Sequence, residues 1–334
     1  MRRSPFVAGA VALLLALGAC SSPRTPAPES ASAPGEPTAS RQDAGQVERT
    51  LASLRKVDDL PLYEMTYVGD YDPTVGTSVT APPTPFGCSL FAALGDRDQP
   101  LFARNFDWEP NPALVLRTDP PDGYASVSMV DIRYLGVGDD PTGDRRLLNA
   151  PLLPFDGMNE RGLAVGLAND DQASARPVPG RPLVGGVRVI RLVLDTAATV
   201  DEAIAVFERH NLDFGGGPPM HYLVADATGA SAVVEFVDGT MRAEKGSGPW
   251  RALTNVPVIG VAEQRRRADR RYGVIAEELD RSGGVADART ALRLLDAVRQ
   301  SHTRWSVTYH LRSGEMRVVT ATRGGERRYQ LPMS

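Results

Sequence analysis

The chain has 334 residues, of which 42% are hydrophobic and 23% charged, ordinary values for a globular protein with one large domain or two small ones. A formal net charge of −4 argues against a nucleic-acid partner, which usually needs a basic face. Two cysteines cannot build a disulfide framework, and no pair of the four histidines has the spacing of a zinc motif.

Residues 1–20 are typical of an export signal. Arg2 and Arg3 give a positive start, and the apolar run that follows is too short to span a bilayer. The run ends in Leu-Gly-Ala-Cys, which resembles the lipobox of bacterial lipoproteins, in which Cys20 is lipidated and becomes the new N-terminus. We therefore expect an exported protein anchored to the bacterial cell membrane through the lipid on Cys20. An ordinary secretory signal is the alternative.

The next part of the chain is predicted to connect this signal to a folded domain. Residues 21–45 are mostly Pro, Ser and Ala, a composition typical of an extended linker. Apolar spacing predicts a short amphipathic helix from Gln46, and Pro61–Val68 is predicted to be extended. The Gly- and Pro-rich stretch 69–86 is predicted to be an exposed loop that can be cut.

After this loop, two apolar runs separated by a polar turn predict a β-hairpin. Cys88 opens its first strand, and Arg104 and Asp107 lie near the end of its second. Residues three apart on a regular strand face opposite sides. Both charged side chains are therefore expected to reach Cys88 only if the second strand ends or bulges near Asn105.

Downstream, strands arrive as hairpins and helices arrive in adjacent pairs. This segregation predicts an α+β fold with mainly antiparallel sheets, arranged as a four-layer αββα sandwich. The predicted elements are helices at Val187–Ala197, Thr199–His210, Glu263–Asp280 and Asp287–Gln300, and strands at Tyr124–Tyr134, His221–Ala225, Ala232–Val237, Trp305–Leu311, Met316–Thr322 and Arg328–Leu331.

Four motifs, in order along the chain, resemble one enzyme family. Cys88 is followed by the segment Ala-Arg-Asn-Phe-Asp-Trp, and further on come Gly-Met-Asn-Glu-Arg-Gly-Leu from Gly157, Leu-Thr-Asn ending at Asn255, and the Arg-Tyr pair at Arg271. These resemble the choloylglycine hydrolase and penicillin V acylase family. Its relatives include bile salt hydrolases, the acyl-CoA:6-aminopenicillanate acyltransferases and acid ceramidases, which are N-terminal-nucleophile hydrolases of linear amides.

The resemblance implies a maturation step and a mechanism. Autocatalytic cleavage between Gly87 and Cys88 would leave 46–87 as a pro-segment and 88–334 as the catalytic domain. Cys88 would then attack the amide of a small-molecule substrate and form an acyl thioester, with its own α-amine relaying protons. The family needs no cofactor and no metal for this chemistry.

The resemblance also implies roles for the partners of Cys88. Arg104 would favour the thiolate, and Asp107 would hold the new α-ammonium group. Asn255 would donate its amide to the tetrahedral oxyanion. Arg271 would be the remaining arginine of the site, although it lies in an arginine-rich run that is mostly typical of a solvated helix face.

One departure from the family concerns its second oxyanion residue. The bile salt and penicillin V enzymes carry an asparagine in a Gly-Leu-Asn segment, whereas this chain has Gly-Leu-Ala-Asn, with Ala168 in the expected place and Asn169 one residue later. A shift of one residue reverses the face of a strand. Either a bulge restores Asn169, or a backbone N–H group serves the oxyanion instead.

Several alternatives stay open at this stage. An acyltransferase of the same fold would pass the acyl group to an amine, and a ligand-binding lipoprotein would keep the fold without turnover. His221 could pair with the cysteine as in papain, although a hydrogen-bonded core histidine is the simpler interpretation. The substrate, the oligomeric state and the fate of the pro-segment after cleavage are not determined by the sequence.

Overall fold

The computed structural model describes residues 39–75, 87–214, 217–322 and 324–334. The predicted signal peptide with Cys20, most of the linker and the part of the loop directly before Gly87 lie outside these ranges. Among the described residues, no helix has the length and apolar character that crossing a membrane requires.

The described residues form seventeen strands, six α-helices and two 3₁₀ helices. In chain order the strands are β1 Arg55–Asp58, β2 Leu62–Thr66, β3 Gly87–Ala93, β4 Leu101–Asp107, β5 Ala113–Thr118, β6 Ser126–Asp131, β7 Pro154–Asn159, β8 Ala164–Asn169, β9 Leu183–Gly185, β10 Asn211–Asp213, β11 Met220–Ala225, β12 Ser231–Val237, β13 Thr240–Lys245, β14 Trp250–Leu253, β15 Thr303–His310, β16 Glu315–Thr320 and β17 Arg327–Gln330. The helices are α1 Ala44–Ala52, α2 Arg188–Thr196, α3 Val200–Arg209, α4 Glu263–Arg266, α5 Arg270–Arg281 and α6 Ala288–Ala297, and the 3₁₀ helices are Ile132–Leu135 and Arg145–Leu152.

Two large sheets form the centre of the fold. The larger has nine strands in the order β1-β2-β5-β6-β7-β8-β11-β12-β13, and the smaller has six in the order β14-β3-β4-β15-β16-β17. Every pair in these two sheets is antiparallel except β2 with β5. A short parallel pair, β9 with β10, lies apart from both.

The two large sheets pack face to face, and helices cover their outer faces. A Cβ atom added to Gly166 of β8 would lie 2.8 Å from the Leu90 side chain of β3 and 3.3 Å from Phe102 of β4, so the sheets are in contact there. Helices α2 and α3 pack on the larger sheet, and α5 and α6 pack on the smaller. The predicted four-layer αββα sandwich is confirmed.

Strands β3 and β4 lie in the middle of the smaller sheet and are covered on both faces. Apart from Gly87, every residue in both strands is buried. This explains why the hairpin has continuous apolar runs rather than an alternating pattern. The polar side chains that do occur in β4, including Arg104 and Asp107, must therefore find partners inside the protein.

Residues upstream of the hairpin are part of the larger sheet. Strand β2 lies between β1 and β5 and pairs in parallel with β5 from Leu62↔Ala113 to Thr66↔Arg117. The predicted amphipathic helix is present as α1, but it begins at Ala44 rather than Gln46. Asp43 caps it by accepting from the Gln46 N–H, and the Gln46 side chain accepts from the Asp43 N–H in return.

Most predicted helices and strands are present within a few residues of their expected bounds. The exception is Glu263–Asp280, predicted as one helix, which is two helices. Helix α5 begins anew because Asp269 accepts a hydrogen bond from the Tyr272 N–H at 2.9 Å and caps it. Similarly, the predicted strand Tyr124–Tyr134 is shorter as β6, because Asp131 caps a 3₁₀ turn at its end.

Candidate active site

The site is organised around Cys88, which is fully buried at the start of β3. Arg104 on the neighbouring strand β4 donates from Nη2 to Sγ at 2.9 Å. Burial raises the pKa of the Cys88 thiol to about 11, against the opposing effect of the Arg104 charge. In this uncut chain the thiol is therefore neutral at physiological pH, although a cation lies against it.

Arg104 is fixed in place by a buried carboxylate from the facing sheet. Its Nη1 donates to Asp156 Oδ2 at 3.0 Å, and the Tyr309 hydroxyl donates to the other oxygen of Asp156. All three side chains are fully buried, so a chain of polar contacts from Tyr309 to Cys88 crosses between the sheets. Asp156 is not among the site residues predicted from the sequence. The signal that could have found it is a carboxylate in an apolar strand, directly before the Gly-Met-Asn-Glu-Arg-Gly-Leu motif that starts at Gly157.

Asp107 ends β4 directly opposite Gly87. Its carboxylate accepts from Gln300 Nε2 at 2.9 Å and from the Thr303 hydroxyl. A Cβ atom on Gly87 would collide with the Gln300 amide and lie 3.2 Å from the Asp107 carboxylate. Only glycine therefore allows this carboxylate to approach the backbone next to Cys88 so closely.

The expected bulge of β4 near Asn105 is absent from its pairing with β3, although β4 ends at Asp107 and its pairing with β15 shifts between Thr303 and Trp305. Strands β3 and β4 pair without a shift from Gly87↔Asp107 onward. The side chains of Arg104 and Asp107 accordingly lie on opposite faces of the strand, as its period of two requires. Both still reach the cysteine, because Arg104 contacts the thiol and the Asp107 carboxylate lies against the backbone on the other face.

Asn255 and Arg271 complete the surroundings of Cys88. Strand β14 runs antiparallel beside β3, so Asn255, two residues past its end, lies next to the cysteine. Asn255 Oδ1 accepts from the Cys88 N–H at 2.9 Å and from Arg271 Nη2 at 2.8 Å, and Asn255 Nδ2 donates to the Asn169 carbonyl at 2.9 Å. Arg271 Nη1 donates to the Cys88 carbonyl at 2.6 Å, which distinguishes it from the other arginines of its run.

The two predicted oxyanion positions lie at the end of β8. A bulge that restores Asn169 is wrong, because β8 and β11 pair without a shift through Ala168↔His221 and Asn169↔Met220. The Asn169 amide nitrogen donates to Asp171 at 2.8 Å instead. Its carbonyl meets Asn255, and a strand residue's C=O and N–H point to the same side, so the geometry favours the backbone N–H alternative.

His221 is buried and bonded at both ring nitrogens, neither of which contacts the cysteine. Nε2 bonds the Thr254 carbonyl at 2.7 Å, and Nδ1 lies 3.2 Å from Glu235 Oε1 and 3.9 Å from Asp170 Oδ2. The papain-like pairing with Cys88 therefore has no support in the geometry. Asp170, His221 and Glu235 are close enough together to share a metal ion, but the Glu235 carboxylate already accepts from the Val258 and Ile259 N–H groups.

Comparison with known proteins gives one matching family and several similar chains. Residues 94–248 match the acyl-coenzyme A:6-aminopenicillanic acid acyl-transferase family. Penicillin V acylase from Pectobacterium atrosepticum is 26% identical over 56% of this chain. The alignment covers 52% of that relative, so the chain spans about half the length of the curated relative it matches.

Similar solved structures share the fold. A mutant of conjugated bile acid hydrolase from Clostridium perfringens superposes with a TM-score of 0.56 at 16% identity, covering 73% of this chain and 92% of that one. Penicillin V acylase from Agrobacterium tumefaciens gives 0.53 at 19% identity, covering 73% and 86%. The family match, the penicillin V acylase relative and this common architecture agree, and they support the resemblance of this chain to the choloylglycine hydrolase and penicillin V acylase family.

Proposed function

We propose that this protein is an N-terminal-nucleophile amidase in which Cys88 attacks the linear amide bond of an N-acyl compound. One observation carries the proposal: two separate groups contact the two atoms of Cys88 that such a mechanism uses. Arg104 Nη2 lies 2.9 Å from the thiol sulfur, and Asn255 Oδ1 accepts from the backbone nitrogen at 2.9 Å. That nitrogen becomes the α-amine once the preceding peptide bond is cut.

Maturation would use the same atoms. The Cys88 sulfur adds to the Gly87 carbonyl carbon, its proton passes to the Cys88 nitrogen, and the C–N bond breaks to leave a thioester. Water then hydrolyses the thioester to a Gly87 carboxylate, a free thiol and a free amine. Arg271, whose Nη1 bonds the Cys88 carbonyl at 2.6 Å, holds the backbone on the other side of the bond that is cut.

In turnover, the free α-amine takes the thiol proton and the thiolate adds to the substrate carbonyl carbon. The α-ammonium returns the proton to the departing amine, and water releases the acid from the Cys88 thioester. Arg104 stabilises the thiolate and Asp107 stabilises the ammonium. This arrangement explains why Arg104 and Asp107 lie on opposite faces of β4, because the thiolate charge develops on one side of the strand and the ammonium charge on the other.

The oxyanion is assigned to two donors near the end of β8. The first is the Asn169 backbone N–H, which points to the side where its carbonyl meets Asn255. The second is the Asn255 amide nitrogen, which gives one hydrogen to Asn169 in the uncut chain. A preorganised donor of this kind typically contributes about 3 kcal/mol to lowering the barrier.

Turnover of a panel of N-acyl amides by the purified protein tests the proposal. The panel varies the acyl chain and the amine and includes N-acyl amino acids, acyl-homoserine lactones, penicillins and fatty-acid amides. We expect hydrolysis of at least one class, and loss of at least 10³-fold in kcat for Cys88→Ala because no nucleophile is left. Unchanged hydrolysis by Cys88→Ala would contradict the assignment.

Acyl transfer is the second candidate, since the matched family takes its description from an acyl-transferase. The same thioester would be attacked by an amine in place of water. Adding an amine acceptor to the assay separates the two activities. An N-acylated acceptor as the main product identifies a transferase, and free acid at all acceptor concentrations identifies a hydrolase.

We also propose that the segment upstream of Gly87 stays bound after cleavage. Strand β2 is paired with β5, and the buried Tyr71 hydroxyl donates to Asp195 Oδ1 at 2.8 Å on α2. These contacts need no covalent link to the catalytic chain. If Cys20 carries a lipid, as its lipobox-like sequence suggests, the retained segment would keep the enzyme at the membrane.

A further inference from the structure

His221 belongs to a buried polar cluster that the proposed mechanism does not use. His221 and Glu235 are fully buried, and they lie on the adjacent strands β11 and β12 of the larger sheet. Ionic groups in such a place are costly unless every partner is satisfied. The cluster therefore calls for a reason beyond packing.

Three hydrogen bonds of this cluster lead to one loop, which joins β14 to α4 and carries Asn255. Glu235 Oε1 accepts from the Val258 N–H at 2.7 Å, and Oε2 accepts from the Ile259 N–H at 2.9 Å. One carboxylate thus holds two consecutive backbone donors of the loop. His221 Nε2 bonds the carbonyl of Thr254, the residue before Asn255, at 2.7 Å.

The partners of the His221 imidazole determine which of its ring nitrogens must carry a hydrogen. A carbonyl oxygen only accepts, so Nε2 carries a hydrogen. Nδ1 faces Glu235 at 3.2 Å and Asp170 at 3.9 Å. Burial opposes the charge on Glu235, but the His221 and backbone hydrogen bonds outweigh it and lower the pKa of that carboxyl, which keeps it a strong acceptor.

We propose that His221 and Glu235 are positioning residues for Asn255. They hold the loop at both ends of the segment 254–259 and thereby keep the Asn255 amide against the backbone nitrogen of Cys88. A displacement of Asn255 by about 1 Å would disturb both the α-amine and the oxyanion contacts, and misplacement of this size can cost on the order of a hundredfold in rate. The expected loss of rate rests on the proposed function, whereas the positioning of the loop does not.

The test compares His221→Gln and Glu235→Gln with Tyr222→Phe. Tyr222 neighbours His221 on β11 and is also fully buried, but its hydroxyl donates to the Gly186 carbonyl at 2.7 Å and not to the loop. Each variant is assayed for amide turnover and, by hydrogen exchange, for protection of the 254–259 amides. Circular dichroism confirms that each is folded.

We expect His221→Gln and Glu235→Gln to lower kcat by at least about tenfold with KM changed less than threefold, because the Asn255 contacts to the α-amine and the oxyanion act after the substrate has bound. Exchange of the 254–259 amides should rise about tenfold or more in both variants and stay unchanged in Tyr222→Phe. Glu235→Gln decides the matter if His221→Gln fails to fold.

Two results would overturn parts of this account separately. If the loop variants match Tyr222→Phe in both kcat and exchange, His221 and Glu235 are only core residues. If the unmodified protein hydrolyses no amide, the proposed function fails, but the exchange comparison still decides whether the cluster holds the loop.

Discussion

Two chains of buried polar contacts hold Cys88 in place. One polar chain runs from Asp156 through Arg104 to the thiol of Cys88, and another runs from Glu235 along the loop to Asn255 and the Cys88 nitrogen. Each chain approaches the cysteine from strands of the larger sheet. Burying a polar group costs free energy unless it is hydrogen-bonded, so chains of bonded polar groups are expected where a function requires buried charges.

Asp156 provides the first prediction. We expect Asp156→Asn to lower the free energy of unfolding by about 3 kcal/mol, because it leaves the Arg104 charge buried without its carboxylate. Tyr309→Phe removes only the hydroxyl that donates to Asp156 and should cost about 1 kcal/mol. Urea denaturation in a Cys88→Ala background, where the chain stays uncut, measures both. Equal losses would show that Arg104 does not depend on this carboxylate.

A second prediction concerns pH and Asp131, which accepts from Asn111 Nδ2 at 2.8 Å and from the Arg133 N–H at 3.0 Å. Burial outweighs these hydrogen bonds and raises the pKa of Asp131 to about 7, above about 4 in an unfolded chain. The folded state therefore binds the proton more tightly. Its stabilising contribution is complete below pH 4 and is lost as pH rises to about 7.

Asp131→Asn should remove this dependence. The unfolding free energy of the parent, measured in urea from pH 4 to pH 8, should fall relative to that of the variant by a few kcal/mol and then run parallel above pH 7. Other buried carboxyls contribute equally to both proteins and cancel in the difference. A constant difference across the whole range would contradict the raised pKa.

Among the secondary-structure elements, those upstream of Gly87 pack against the part of the chain that follows Cys88. Strand β2 supplies the only parallel pairing in the described part of the larger sheet, and Tyr71 reaches α2. Arg191 of α2 pairs with Asp195 at 2.8 Å and lies over the Tyr71 ring at 5.8 Å from its centroid. This junction is buried, so we expect it to outlast cleavage of the loop.

The third prediction tests that junction. After cleavage, the fragment that ends at Gly87 should co-purify with the catalytic chain in size-exclusion chromatography. Tyr71→Phe should release it at a lower urea concentration, corresponding to about 1 kcal/mol, because Asp195 loses a buried donor. Tyr63→Phe is the comparison and should have a smaller effect, since its hydroxyl donates to the Asp139 carbonyl in a less buried position. Separation of the fragments without denaturant would contradict retention.

Across the whole molecule, local patterns predicted the elements and the layer order, while long-range partners escaped them. The Cys88, Arg104 and Asp107 spacing could be recognised because all three lie in one hairpin. The contacts of Asp156 and Gln300 with that hairpin could not, because only the packing of the second sheet and of α6 brings the two side chains there. The strand period correctly predicts that Arg104 and Asp107 lie on opposite faces of β4. How both approach Cys88 follows only from the register of β3 and β4.

The mass of the purified protein shows whether Cys88 becomes an N-terminus. We expect a large chain that begins at Cys88, and an uncut chain when Cys88 is replaced by alanine. A protein that hydrolyses amides while no chain begins at Cys88 would contradict the claim that this cysteine acts as an N-terminal nucleophile.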